Sequence, residues 1–147
     1  MRRLKWGVLG GSGFARRRSI PAMLLSPIVE LLGVASRTKE KSEKFAEQFS
    51  LPKVYGSYMD MLDDPEIEAV HIPLPNALHC QWALNALERN KHVLAEKPFA
   101  TTVEDALKVE AASKKTGLKV MEAMMQFPRV CQAACKHGKQ THFNHPT

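Results

Sequence analysis

Three short constellations in this chain combine residue types that could do chemistry. The first is Glu96-Lys97-Pro98, which follows the run Lys91-His92-Val93-Leu94-Ala95. A short apolar run bounded by polar residues reads as a buried parallel strand, and proline cannot extend it. Glu96 and Lys97 therefore fall at the carboxyl end of a strand, the edge where ligands bind in an open α/β sheet. A lysine there is a point charge and a proton donor, and a neighbouring carboxylate can orient it. The same two charges also suit an ordinary solvated ion pair at a strand end.

The second constellation is Gly7-Val8-Leu9-Gly10-Gly11-Ser12-Gly13-Phe14-Ala15. A glycine-rich turn between a strand and a helix turns backbone N–H groups toward a pyrophosphate, and the helix dipole favours the anion. The G-x-G-x-x-G/A pattern can be started at Gly10, with Ser12 in the second glycine's place and Ala15 in the third's. Gly10, Gly11, Ser12, Gly13, Phe14 and Ala15 are thus the candidate phosphate loop. A plain strand-to-helix turn is the alternative.

The third is Ser36-Arg37-Thr38-Lys39, with Lys41 four residues after Arg37. An acid at the end of a second strand would accept hydrogen bonds from the adenosine ribose, as NAD sites use. Here no carboxylate appears until Glu40. A guanidinium and a hydroxyl suit a 2′-phosphate, which an acid would repel. Ser36, Arg37 and Lys41 favour NADP over NAD as the cofactor. A solvated basic helix start is the competing reading, although cations there oppose the helix dipole.

The elements that must hold these groups alternate. Strands are expected at Leu4 to Leu9, Val29 to Ala35, Lys53 to Tyr55, Ala69 to Ile72, Val93 to Ala95, and from Leu118 to Met121 or beyond. Helices are expected at Phe14 to Leu25 with Pro21 inside or at a break, Lys39 to Phe49, Tyr58 to Leu62 and Leu78 to Arg89. A last helix runs to Lys115, opened by a capping box at Thr101-Thr102-Val103-Glu104 and stopped by Gly117. Such alternation predicts an α/β fold with a doubly wound parallel sheet and right-handed crossovers.

Composition bounds the partners. At 147 residues the chain is one domain's worth, with 44% hydrophobic and 24% charged residues, ordinary for a globular protein. A net charge of +6 suits anionic partners, but Arg16-Arg17-Arg18 is the only dense basic cluster. No zinc-finger spacing, helix-turn-helix pattern or aromatic interleaving accompanies it, which argues against nucleic acid. No apolar run approaches membrane-spanning length, and the basic N-terminus leads into no secretory signal. Three cysteines make no disulfide framework, so a reducing cytoplasm is the default location.

Past Phe127 the periodicity ends, and residues 126–147 are expected to form an irregular or disordered tail. It holds Cys131, Cys135, His137, His142 and His145. These are zinc-ligand types at spacings that match no zinc pattern, and no metal site is assigned.

Several segments together resemble the Gfo/Idh/MocA oxidoreductases, named for glucose-fructose oxidoreductase and inositol dehydrogenase. The matching residues are Lys5-Trp6-Gly7-Val8-Leu9-Gly10, Val34-Ala35-Ser36-Arg37, Tyr55-Gly56-Ser57-Tyr58, Ile72-Pro73-Leu74-Pro75-Asn76 with His79, Glu96-Lys97-Pro98 and Met121-Glu122-Ala123. The chain is most similar to the branch with dihydrodiol and xylose dehydrogenases, over about residues 4 to 125. The resemblance implies a Rossmann NAD(P)-binding domain, residues 1–125. Its enzyme would move hydride between NADP(H) and a sugar, polyol or dihydrodiol. It implies that Leu74, Asn76 and His79 line the ribose and nicotinamide, that Glu96 and Lys97 face the nicotinamide, and that Lys97 touches the reacting hydroxyl. It also implies a second, α+β substrate domain, absent from this chain, and leaves room for a homo-oligomer in full-length relatives. Where the family branch continues in a Tyr-Arg-Phe-His-Pro-like segment, this chain has Gln126-Phe127-Pro128-Arg129-Val130. A truncated or frameshifted product, or a binding module without chemistry, is the alternative to an enzyme.

Overall fold

A computed structural model of the chain describes residues 2–123. The tail, with its cysteines and histidines, lies outside the described residues. The strands are β1 (Leu4–Leu9), β2 (Val29–Ala35), β3 (Lys53–Tyr55), β4 (Ala69–Ile72), β5 (His92–Glu96) and β6 (Val120–Ala123). The helices are α1 (Ile20–Leu25), α2 (Lys39–Phe49), α3 (Tyr58–Asp63), α4 (His79–Glu88) and α5 (Val103–Thr116). All strand pairs are parallel, in the order β3-β2-β1-β4-β5-β6. This is the doubly wound Rossmann order, and the strand order reverses between β1 and β4.

Apolar side chains fall in two layers, with an irregularity in the β1–β2 register between Trp6 and Gly7 shifting the alternation of β2 by one residue. Val8, Leu31 and Val34 pack with Ala15, Ile20 and Ala46 in one cluster. Their neighbours Leu9, Leu32 and Ala35 pack with Met61, Val70, Ala83 and Leu87 in another. The central strand β4 is buried along its whole length, as a parallel strand covered on both faces must be. On α4, Ala83, Ala86 and Leu87 are fully buried, while Trp82 packs edge-on against Tyr58.

Three local expectations change. The helix expected from Phe14 is present, but over Ala15–Ser19 it widens into a π-turn before running into α1. Pro21 has no N–H to return to the preceding turn, and the ladder loosens just before it, with the Ile20 N–H bonding to the Ala15 carbonyl. The cap of α5 is Thr102 rather than Thr101: its hydroxyl accepts from the Asp105 N–H at 3.2 Å. Thr102 has the extended backbone a cap needs, and Thr102-x-x-Asp105 satisfies the same spacing one residue later. The sixth strand starts at Val120, because the Lys119 N–H is taken by the His92 ring nitrogen at 3.0 Å. Gly117 does end α5, in the left-handed conformation with φ 72°.

Lys91, at the amino end of β5, is buried and donates from Nζ to the carbonyls of Asp64 (2.7 Å) and Ile67 (2.8 Å). Burial lowers its pKa. It locks the amino edge of the sheet, opposite the edge where the candidate site lies.

Candidate functional site

The carboxyl edge around the β1/β4 reversal carries the candidate residues in two groups. On the first side, β1 ends at Leu9 and the chain enters Gly10 with φ 106°, a conformation L side chains rarely adopt. A Cβ there would also stand 2.5 Å from Leu74 Cδ2. Gly11 packs so closely on the Phe45 ring of α2 that a side chain would collide with it. The Ser12 hydroxyl accepts from the Ala15 N–H at 3.0 Å and caps the turn. Serine in the second glycine's place therefore satisfies a donor that the helix start leaves free. Ala15 is wholly buried under the turn, whereas Gly11, Gly13 and Phe14 are exposed. The Arg17 guanidinium lies over Gly13, bringing a cation to the loop.

Arg37 and Lys41 are exposed at the start of α2, past the end of β2. Ser36 is buried, and its backbone N–H donates to the Ser42 hydroxyl at 2.9 Å, tying the strand end to α2. Glu40, the first acid after β2, is drawn back by its own N–H and the Thr38 hydroxyl, which lower its pKa. A cleft of about 250 Å³ joins Gly10, Gly11, Ser12 and Arg37 to Tyr58, Leu74 and Leu78. Tyr58 was not singled out as a site residue in the sequence. Burial raises its hydroxyl pKa, while Arg37 opposes that shift. Its place became visible only when α3 packed against Trp82.

The second side is the β4 to β6 edge. Asn76 is exposed in a short 3-10 turn, Asn76–Leu78, and Leu74 is half-buried beside Gly10. His79 does not face the cleft: it is fully buried at the start of α4. Its Nδ1 stands 2.9 Å from the Pro98 carbonyl and its Nε2 2.6 Å from the Leu74 carbonyl. The ring clamps the loop after β4 to the turn after β5. Cys80 Sγ donates to the Phe99 carbonyl at 3.5 Å, and the Phe99 N–H donates to Glu122 Oε1 at 2.8 Å. Three side chains from α4 and β6 thus hold the Lys97-Pro98-Phe99 turn.

Lys97 is exposed, and among the described residues no carboxylate pairs with its ammonium. The alternative of a Glu96–Lys97 ion pair is not what the structure shows. Glu96 Oε1 turns to His71 Nε2 on β4, 3.6 Å away. Burial raises the Glu96 pKa, against the Lys97 backbone N–H and the charges of His79 and Lys97. His71 is 2% exposed, and burial lowers its pKa to about 4. His71 carries no signal in the sequence, because a lone polar residue inside an apolar strand has no spacing partner.

The chain matches the family described as "Oxidoreductase family, NAD-binding Rossmann fold" over residues 4–124, nearly the whole described span. It belongs to that family. An uncharacterized oxidoreductase of Rhizobium meliloti is 42% identical over 83% of this chain. A dTDP-3,4-didehydro-2,6-dideoxy-alpha-D-glucose 3-reductase of Saccharopolyspora spinosa is 43% identical over 79%. The NADP(+) D-xylose 1-dehydrogenase of Haloferax volcanii is 36% identical over 83%. Among solved structures, a 3-ketoreductase of Actinomadura kijaniata in complex with NADP superposes with a TM-score of 0.82 at 35% identity, covering 93% of this chain and 44% of that one. The chain spans about 36% of the length of the first curated relative it matches. As a family member it carries the dinucleotide-binding fold, with both candidate groups inside the matched span. Among the described residues no set of three or more metal-binding side chains converges, and no helix is long and apolar enough to cross a membrane.

Proposed function

We propose that this chain is the NADP-binding unit of an oxidoreductase that moves hydride between the cofactor and a hydroxyl-bearing carbon of a sugar, polyol or dihydrodiol. The observation that carries the reading is the cleft shared by Gly10, Gly11, Ser12, Arg37 and Tyr58. It joins a glycine-rich turn to a guanidinium with no carboxylate in the lining, which fits a phosphorylated adenosine better than a bare ribose. Gly10 to Ala15 hold the pyrophosphate, with Arg17 adding charge. Ser36, Arg37 and Lys41 hold the 2′-phosphate. Leu74, Asn76 and Glu96 line the ribose and nicotinamide, and His79 serves them by fixing the loops rather than by touching the cofactor.

The bound nicotinamide supplies the hydride acceptor or donor. Lys97 supports the accompanying change at oxygen: its ammonium stabilises the developing alkoxide and exchanges the proton. Glu122, Cys80 and His79 keep that lysine at a fixed place by holding the turn behind it. The relatives named as a xylose dehydrogenase and a dideoxyglucose 3-reductase support the sugar-like substrate class.

Arg37→Asp tests the cofactor assignment: NADP affinity should fall on the order of a hundredfold and NAD affinity less than about threefold. Equal losses in calorimetric titration would remove the assignment. Lys97→Met, placed in a longer relative that turns over, should lower kcat on the order of a hundredfold; unchanged turnover would end its catalytic role. A second reading is a dinucleotide-binding module without turnover, since the family match covers a dinucleotide-binding fold alone. Oxidation of a sugar and polyol panel with NADP separates the two, since a module binds cofactor and turns nothing over.

A further inference from the structure

His71 presents an arrangement that the proposed chemistry has not used. Its ring lies on β4, two strands from the sheet edge, and is 2% exposed. Nδ1 is 3.1 Å from the Leu94 carbonyl. A carbonyl only accepts, so Nδ1 carries the hydrogen and Nε2 presents a lone pair. That Nε2 has no hydrogen-bond partner among the described residues, although it is buried. It points at Glu96 Oε1, 3.6 Å away. Two lone pairs facing one another across such a gap are unfavourable, and a carboxylic acid proton between them removes the conflict. Catalytic-site hydrogen bonds are often long without ligand and tighten when it binds.

We propose that His71 and Glu96 form a proton-sharing pair, in which protonated Glu96 donates to the His71 Nε2 lone pair and releases that proton to solvent to become a carboxylate beside the nicotinamide. The inference rests on the reading that Glu96 lines the nicotinamide site. No bond other than the carboxyl O–H breaks, and no oxidant or reductant is involved. The other charged and titratable groups around Glu96 are Lys97 on its own strand end, His79 on α4 and Glu122 on β6, whose carboxylate is occupied by the Phe99 N–H. Burial raises the Glu96 pKa and lowers that of His71, the pairing of a neutral acid with a neutral imidazole. The functional consequence concerns cofactor redox state. Oxidised nicotinamide carries a positive ring and the reduced ring is neutral. A Glu96 carboxylate therefore favours the oxidised form and its protonation removes that preference. His71 acts as a positioning residue that sets where this exchange occurs.

The test titrates NADP+ and NADPH into the full chain between pH 5 and 9, alongside 15N spectra of the histidine-labelled, ligand-free chain. NADP+ affinity should rise on the order of tenfold as Glu96 ionises, with NADPH changing less than about threefold. His71→Leu removes the acceptor for the neutral acid, so the midpoint should move down by about one pH unit. An unchanged midpoint would make His71 merely structural, and an upward shift would make it a cationic partner; either overturns the proposal. In the spectra, His71 Nε2 should be unprotonated and should respond at the Glu96 midpoint, and that response should vanish in Glu96→Gln. A proton on Nε2, or a response surviving that substitution, overturns the pair even if His71→Leu does not fold. Failure of both cofactor forms to bind would instead defeat the cofactor reading, and the spectra still decide the pair.

Discussion

The two sides of the β1/β4 reversal build their parts of the site by opposite means. The β1 to β3 side relies on backbone: a positive-φ glycine, a serine that caps a turn, and cations left exposed at a helix start. The β4 to β6 side relies on polar side chains, the buried His71 and His79 and the half-buried Glu122, each tied to a carbonyl or an N–H of a neighbouring segment. The difference suits what each side must do. Holding phosphates calls for many donors in a fixed curve, which backbone supplies without side-chain entropy. Placing one lysine against a reacting carbon calls for a rigid turn, which buried hydrogen bonds enforce.

The largest expected effect falls on the backbone-built side. Gly10→Val should destabilise the fold by about 4 kcal/mol, because it combines a forbidden φ with overpacking against Leu74. Urea unfolding checks it, and a loss under about 1 kcal/mol would mean that Gly10 is not held as described. On the other side, His79→Phe should cost about 3 kcal/mol, because the buried carbonyl that accepts the ring N–H loses its donor and the ring no longer bridges the two loops. If stability is unchanged, the clamp between the two loops is not what holds the Lys97 turn.

A pH dependence sharpens the contrast. His71 is held below its ordinary pKa of 6.5, at about 4, because burial penalises its charged form. Its contribution is complete above pH 6.5 and is lost as pH falls toward 4. Roughly 2–3 kcal/mol of stability should disappear across that window in the native chain. His71→Phe should lack that portion of the slope, and identical slopes in both chains would refute the neutral buried ring.

The smallest effect is expected away from both sides. Burial pushes the Asp64 carboxyl up, but the Lys53 ammonium, the Glu66 N–H and the Tyr55 hydroxyl together hold it down at about 2. Its stabilisation is present above the usual value of 3.8 and fades as pH falls toward 2. Asp64→Asn should cost about 1 kcal/mol at neutral pH, discounted for the partly exposed Lys53 partner, and nothing near pH 2. An equal cost at both pH values would show that charge is not the cause. Cofactor affinity should not change, because Asp64 lies at the opposite edge of the sheet.

Legibility in the sequence tracked how local each feature is. The glycine turn, the Arg37 segment and the Glu96-Lys97 strand end were readable because strand, turn and helix start are adjacent in the chain. The ends of elements were readable only to within a residue or two: Thr102 displaced Thr101 as a cap because both satisfy the same spacing. His79 was readable as a motif member but not as a clamp, since the carbonyls its ring lies between are those of Leu74, five residues back, and Pro98, nineteen residues on. Tyr58 and His71 carried no legible site signal, because each meets its partner only after crossovers bring distant strands and helices together.

By itself, the sequence determined the alternation of elements, the parallel sheet, the basic rather than acidic end of β2, and the family likeness that residues 4–124 confirm. Those follow from hydrophobic period, turn chemistry and charge, all set within a few residues of one another. Only the tertiary structure decided that Glu96 faces His71 instead of Lys97, and that His79 is buried between two loops. Pairing β4 with β5 puts His71 opposite Leu94, so the ring reaches Glu96, two residues further along the neighbouring strand. A strand's own sequence does not specify which neighbour it will have, so that contact exists only once the sheet is assembled.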